Sequence, residues 1–386
     1  MSVTAPQGFR AAGVAAGIKS SGGLDVALVV NDGPAHAAAA VFTRNKVKAA
    51  PVLWSEQVLT TGRLRAVVLN SGGANACTGP EGFQTTHATA ERAAVALDCG
   101  AVEIAVCSTG LIGAQLPRDA VLAGVDAAAA ALAATPAAAT AAATAVLTTD
   151  TVAKEAEHND PAGFGVGGFA KGAGMIAPSM ATMLAVVTTD AVVDAPVLDA
   201  ALRAAVRLTF DRLDVDGSMS TNDTVVGLAS GASGVAADPE ALTAALTSVC
   251  ADLARQMQAD AEGVTKRITV RVLGAATEDD AVTVARAVAR DNLVKTAMFG
   301  SDPNWGRVAA AVGYSAAAVD PDRLDVTING VPLCRGGVAA GDRADADLSG
   351  KEILIEVGLG LGVGTAAILT TDLSHGYVEE NSAYSS

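Results

Sequence analysis

The sequence predicts a mixed α/β protein. Short apolar runs end in Gly-, Asn- or Asp-rich turns, and helix-favouring segments lie between them. The chain is also 51% hydrophobic but only 3% aromatic, so its apolar mass is mostly Ala and Val, with 40 Gly among them. That composition suits a large core built from closely approaching backbones and excludes a wholly disordered chain.

The elements follow in order. Residues 25–30 (Asp-Val-Ala-Leu-Val-Val) read as a strand ended by Asn31-Asp32-Gly33-Pro34. Residues 64–69 and 103–107 are similar runs, ended by Asn70-Ser71-Gly72-Gly73 and Ser108-Thr109-Gly110. Residues 87–97 have helix-favouring composition, and 118–146 read as one or two Ala-rich helices broken at Pro136. A glycine-laden stretch from 163 to 174 leads into a buried-type strand at 182–188. Amphipathic helices are expected at 194–210 and 239–262, a strand at 267–273 and a helix at 279–296. The run at 353–359 precedes alternating glycines at 358–364, a strand or turn against which another backbone can pack. The polar residues 379–386 are expected to be disordered. The 386 residues suggest two or three folding units, yet no fixed repeat or linker separates them.

Charge and cysteine usage narrow the function. Twenty-six basic against 41 acidic residues give a net charge of −15, which argues against nucleic acid and anionic membranes. Cys77, Cys99, Cys107, Cys250 and Cys334 are scattered without a CxxC pair, and His36, His87, His158 and His375 lie far apart. Neither a disulfide framework nor a metal site is expected. The small-residue stretch between Arg10 and Lys19 is too short for a signal peptide, and the Ala-rich run carries Asp126 and Pro136, so a cytoplasmic protein is expected.

Familiar motifs fail in context. Gly163, Gly165 and Gly168 match GxGxxG, but Gly172, Gly174 and Pro178 follow at once and leave no room for the helix a dinucleotide site needs. The Asp-rich segment 212–223 begins with Arg212 where a calcium loop needs an oxygen ligand. No P-loop or GxSxG elbow occurs.

The pair Ala181-Thr182 carries chemistry. If that peptide is cut, Thr182 gains a free α-amine of pKa about 7.7–8.0, covalently held near its own hydroxyl and suited to act as its base. Glycines before the bond permit unusual dihedrals, and the strand after it would hold the new terminus rigidly. Composition and spacing alone favour the plainer reading, a glycine-rich loop entering a core strand.

The segment Lys171-Gly-Ala-Gly-Met-Ile-Ala-Pro-Ser-Met-Ala-Thr182-Met-Leu closely resembles the self-cleavage site of the glutamate N-acetyltransferase/ornithine acetyltransferase family of arginine biosynthesis. Pro6-Gln-Gly-Phe9, Gly17-Ile-Lys19, Asn70 to Gly79, Ser108 to Gly113, Asp216 to Asp223, Gly300 to Arg307 and Glu380 to Ser386 resemble further family segments in the same order. The resemblance spans nearly the whole chain.

It implies two β layers between helices, similar to N-terminal nucleophile enzymes but with different connectivity. It implies cleavage into an α chain, 1–181, and a β chain, 182–386, that interlock as one catalytic unit. Thr182 would be the nucleophile, with Thr109 and Gly110 as the oxyanion hole. Thr148, Lys171, Thr182, Glu262, Asn381 and Ser386 match the family's substrate positions. By charge alone, Lys171 offers a cation to a substrate carboxylate and Glu262 an anion to a substrate ammonium. Acetyl would pass from N-acetylornithine to Thr182, releasing ornithine, and then to glutamate, a ping-pong sequence without cofactor or metal. Acetyl-CoA is a second donor only if the enzyme is bifunctional. Two α and two β chains, or a multiple, would assemble. The competing readings are an N-terminal nucleophile amidohydrolase or aminopeptidase of related fold, and a binding protein in which Ala181–Thr182 stays intact.

Overall fold

The computed structural model describes residues 2–177 and 183–383. The chain forms two compact units, one of Met1–Asp211 with Ser218–Met257, the other of Arg212–Gly217 with Gln258–Ser386. These boundaries describe compactness and do not bear on a cut at 181/182.

The first unit begins with β1 (Phe9–Val14), β2 (Val26–Asn31), β3 (Ala37–Phe42), α1 (Ala50–Val58), β4 (Ala66–Asn70), α2 (Gly79–Leu97) and β5 (Ile104–Ser108). It continues through α3 (Arg118–Ala130), α4 (Pro136–Ala145), β6 (Lys154–Asn159), β7 (Gly165–Lys171), β8 (Leu184–Thr189), α5 (Ala195–Leu208), β9 (Thr224–Ala229) and most of α6 (Pro239–Ala259). Its strands make two mixed sheets, in the orders β1-β2-β4-β5 and β3-β9-β8-β7-β6. Both sheets contribute to one apolar core, in which Val29, Leu69 and Val106 of the first join Phe169, Val186 and Leu228 of the second.

The second unit holds β10 (Arg267–Ala275), α7 (Glu278–Arg290), α8 (Asn292–Phe299), α9 (Trp305–Gly313), β11 (Asp325–Ile328), β12 (Val331–Arg335), β13 (Val338–Ala339), β14 (Glu352–Gly358), β15 (Gly364–Thr371) and α10 (His375–Ala383). One sheet, β13-β12-β11-β14-β10-β15, packs its apolar face against α7 and α9 around its own core.

The mixed α/β expectation stands, and the Ala-rich segment is two helices with Pro136 in the first turn of α4. The single helix expected at 279–296 is interrupted instead. Asp291 is extended, and its carboxylate accepts the Val294 N–H at 2.8 Å, capping α8. The tail expected to be disordered is helical through Ala383, because Ser374 Oγ accepts the Tyr377 N–H at 3.1 Å and starts α10. The alternating glycines do admit a close backbone: a Cβ on Gly364 would lie 2.3 Å from the Thr277 carbonyl oxygen.

The same economy of space governs the first unit. A Cβ on Gly13 of β1 would stand 2.0 Å from the Ala141 carbonyl oxygen of α4. Gly13→Ala is expected to destabilise the protein by about 1–3 kcal/mol through overpacking, read as a lower midpoint in thermal or urea unfolding.

Candidate active site

The turn after β5 brings two predicted residues into position. Thr109 N–H donates to the Asn70 carbonyl and Gly73 N–H donates to the Thr109 carbonyl, each at 3.0 Å. Gly110 has φ +133, and a Cβ there would meet Gly73 N at 2.5 Å, so this close crossing requires glycine. Asn70 fixes the turn from below: it accepts from Ser108 Oγ at 2.6 Å and donates to the Gly73 carbonyl at 3.2 Å. Asn222 Nδ2 ties the turn to the second sheet, donating to the Ala74 and Ser108 carbonyls at 2.6 and 2.8 Å. Among the described residues, nothing accepts from the Gly110 N–H.

Lys171 ends β7 with its side chain only 1% exposed. Its ammonium donates to Thr148 Oγ1 at 2.8 Å and makes a long contact of 3.5 Å with Thr109 Oγ1. Each hydroxyl that accepts from Lys171 has its own hydrogen left to donate elsewhere. Thr109, Gly110, Thr148 and Lys171 are therefore gathered at one place in the first unit.

Asp150 compensates the buried cation. Its Oδ2 lies 3.6 Å from Lys171 Nζ, and its Oδ1 lies 2.7 Å from Nζ of the equally buried Lys154. It also accepts from the Gly172 and Thr148 N–H groups at 2.6 and 3.2 Å. Burial pushes this carboxyl up, but the Lys171 and Lys154 charges and the hydrogen bonds from Lys154 and Gly172 outweigh that and hold it well below the usual carboxylate range. Lys19, whose own pKa is lowered first by burial, feels both Lys171 and Asp150. Asp150 is thus the carboxylate shared by two buried ammonium groups, Lys154 and Lys171.

The β7–β8 pairing is antiparallel, with Lys171 opposite Leu184. Ala181 and Thr182 lie outside the described residues, as does Ser386. Met183, next along the chain, is described and buried. Its N–H donates to Asp223 Oδ1 at 3.0 Å, and its carbonyl accepts from Thr224 N–H at 3.1 Å.

Glu262 and Asn381 belong to the second unit, where Asn381 Nδ2 donates to Glu262 Oε2 at 2.8 Å and to the Tyr377 carbonyl at 3.0 Å. Burial, then the charges of Asp216 and Glu262 and a hydrogen bond to Asp216, push the Tyr377 phenol up. An acidic pair, Asp216 and Glu262, therefore surrounds one phenol. Sequence reasoning missed Asp150, Lys154 and the role of Asp216. The available signal was weak: Lys154 follows Asp150 by four residues, a spacing common on any surface. Among the described residues, no group of three His, Cys, Asp or Glu is placed to hold a metal ion, and no helix is long and apolar enough to cross a membrane.

Fold and site together describe an α/β protein with a glycine-lined turn and a buried cationic centre at the end of β7. The ArgJ family model matches residues 10–386. The arginine biosynthesis bifunctional protein ArgJ of Mycolicibacterium paratuberculosis is 63% identical over 389 residues, covering 100% of this chain and 96% of that protein. The protein of the same name from Streptomyces coelicolor is 58% identical over 386 residues, covering 100% of both. Among solved structures, the ornithine acetyltransferase of Mycobacterium tuberculosis complexed with ornithine matches with 63% identity and a TM-score of 0.46, over 46% of this chain and 94% of that one. The chain belongs to the ArgJ family.

Removing the Asp150 charge should expose its importance. Asp150→Asn leaves Lys171 and Lys154 buried without their carboxylate, and is expected to cost about 3–5 kcal/mol at neutral pH. Folding favours the ionised carboxylate, so its contribution is full above the ordinary Asp range and fades below about pH 4. Unfolding midpoints of wild type and D150N should therefore converge as the pH is lowered.

Proposed function

We propose that the chain is a glutamate N-acetyltransferase that takes acetyl from N-acetylornithine through an acetyl-Thr182 intermediate. Membership of the ArgJ family over residues 10–386 carries this reading, and the gathering of Thr109, Gly110, Thr148 and Lys171 supports it. Thr182 Oγ adds to the acetyl carbon, the C–N bond of N-acetylornithine breaks, and ornithine leaves with the proton. The glutamate amine then attacks the acetyl ester and restores the hydroxyl. Each addition places negative charge on the former carbonyl oxygen. The Gly110 N–H and the Thr109 hydroxyl are suitable donors to that oxygen, with Lys171 supplying positive potential behind Thr109. The same reading has the chain cut between Ala181 and Thr182, assembled from two α and two β chains or a multiple, and located in the cytoplasm. The relatives' name, bifunctional protein, favours acetyl-CoA as a second acetyl donor.

Wild-type protein should run as two fragments dividing at Thr182 on a denaturing gel, and Thr182→Ala as one inactive chain. Incubation with N-acetylornithine should release ornithine and form N-acetylglutamate only when glutamate is present. Acetate release indifferent to glutamate would favour the amidohydrolase reading instead. Thr109→Ala is expected to lower kcat by about 10²–10³ while KM changes little, because the lost donor acts on the transition state.

A further inference from the structure

Charge is spread unevenly over the chain. The net charge is −15, yet one groove of the first unit is basic. It has a volume of about 630 Å³ and gathers Arg44, Lys46, Lys48, Arg203 and Arg207 against two carboxylates, Glu56 and Asp211. Its floor is the end of β3, the outermost strand of its sheet. One wall is the loop from β3 to α1, which carries Arg44, Lys46 and Lys48. The other is α5, where Arg203 and Arg207 stand four residues apart on one face.

Alternate residues tie the loop down. Thr43 Oγ1 donates to the Ser220 carbonyl at 2.7 Å, Asn45 Nδ2 to the Met219 carbonyl at 3.0 Å, and the Ala49 N–H to the Thr221 carbonyl at 3.0 Å. The basic residues occupy the positions between these anchors. Nearby carboxylates compensate them only in part. Lys48 pairs with Glu56, Arg203 with Asp199 at 2.8 Å, and Arg44 reaches Asp211 at 3.5 Å. Lys46 has no ion pair among the described residues. Five cations thus face three carboxylates, and a cleft with an excess of one sign concentrates the opposite ion. Guanidinium forks and ammonium point charges together suit phosphate oxygens.

The groove also lies at a definite distance from the cationic centre. Phe42 of β3 pairs with Thr224 of β9, Thr224 with Leu184 of β8, and Leu184 with Lys171 of β7. This one row across the sheet spans three strand spacings, about 14 Å. In acetyl-CoA the pyrophosphate is separated from the thioester by an arm of about twelve bonds, as long as about four extended residues, or about 14 Å. We propose that the groove binds the phosphate groups of acetyl-CoA and so brings its thioester within reach of the Lys171 centre. This rests on the reading of acetyl-CoA as the second acetyl donor. N-acetylornithine carries no phosphate and makes no use of the groove.

The test uses the full-length protein, with melting temperature as the measure of folding. CoA binding is followed by calorimetry, without turnover, and acetyl transfer to glutamate is measured from each donor. The double variant Arg44→Glu with Lys46→Glu reverses two exposed charges. It is expected to weaken CoA binding at least about tenfold, and to shift the ratio of kcat/KM for acetyl-CoA over N-acetylornithine by a similar factor toward N-acetylornithine. A folded R44E/K46E that binds CoA as wild type does overturns the proposal. Pyrophosphate that binds wild type as tightly as CoA, with no acetyl transfer from acetyl-CoA, gives the groove to a free phosphate compound and also overturns it. Should the variant not fold, wild type is compared at about 50 and about 500 mM salt. A KM for acetyl-CoA that rises with salt supports the groove, and one indifferent to salt overturns it. Failure of transfer from N-acetylornithine to glutamate would sink the proposed function instead, and the CoA titration still decides the groove.

Discussion

One buried carboxylate organises the centre of the first unit. Asp150 faces two buried ammonium groups and two backbone N–H groups. Without it, Lys154 and Lys171 would be uncompensated cations in an apolar interior, a condition proteins avoid by neutralising the group or opening to water. With it, Lys171 is held under Thr109 and Thr148. The Gly172 N–H bond also sets where the chain leaves β7, and so where the segment containing Ala181 and Thr182 begins. Charge compensation and chain path are the same interaction here.

Much of the fold was legible because local signals agreed with the final packing. The strands at 26–31, 66–70 and 104–108 are continuous apolar runs closed by turn residues, and burial on both faces is what such runs demand. The strand Ala37–Phe42 was not legible. Four consecutive alanines favour a helix in isolation, and only pairing with β9 makes them a strand. The site divides in the same way. Thr109 and Gly110 sit at a strand end that reads as a turn from sequence, whereas Asp150 meets Lys171 through a contact that no spacing encodes. The helical tail is a further case: its composition is mostly polar, and the capping hydroxyl of Ser374 starts its helix.

The low aromatic content also acquires a structural meaning. Backbones approach so closely that a methyl group would collide at Gly13, Gly110 and Gly364. Large side chains would hold those segments apart. The core of the first unit is instead filled by Val, Leu and Ala from both sheets, with few rings such as Phe169 between them. Tight backbone contact also fixes the Thr109–Gly110 turn, whose geometry would loosen if Gly73 and Gly110 were separated.

Two buried carboxyls in the first unit are shifted in opposite directions by their surroundings. Asp150 and Asp223 are both removed from water, and both feel Lys171. Asp150 has the nearer claim, with a second ammonium at 2.7 Å, and stays ionised. Asp223 has only neutral hydrogen-bond donors beside it, and burial prevails. The environment thus separates two like groups, fixing one as a negative charge between ammonium groups and pushing the other the opposite way.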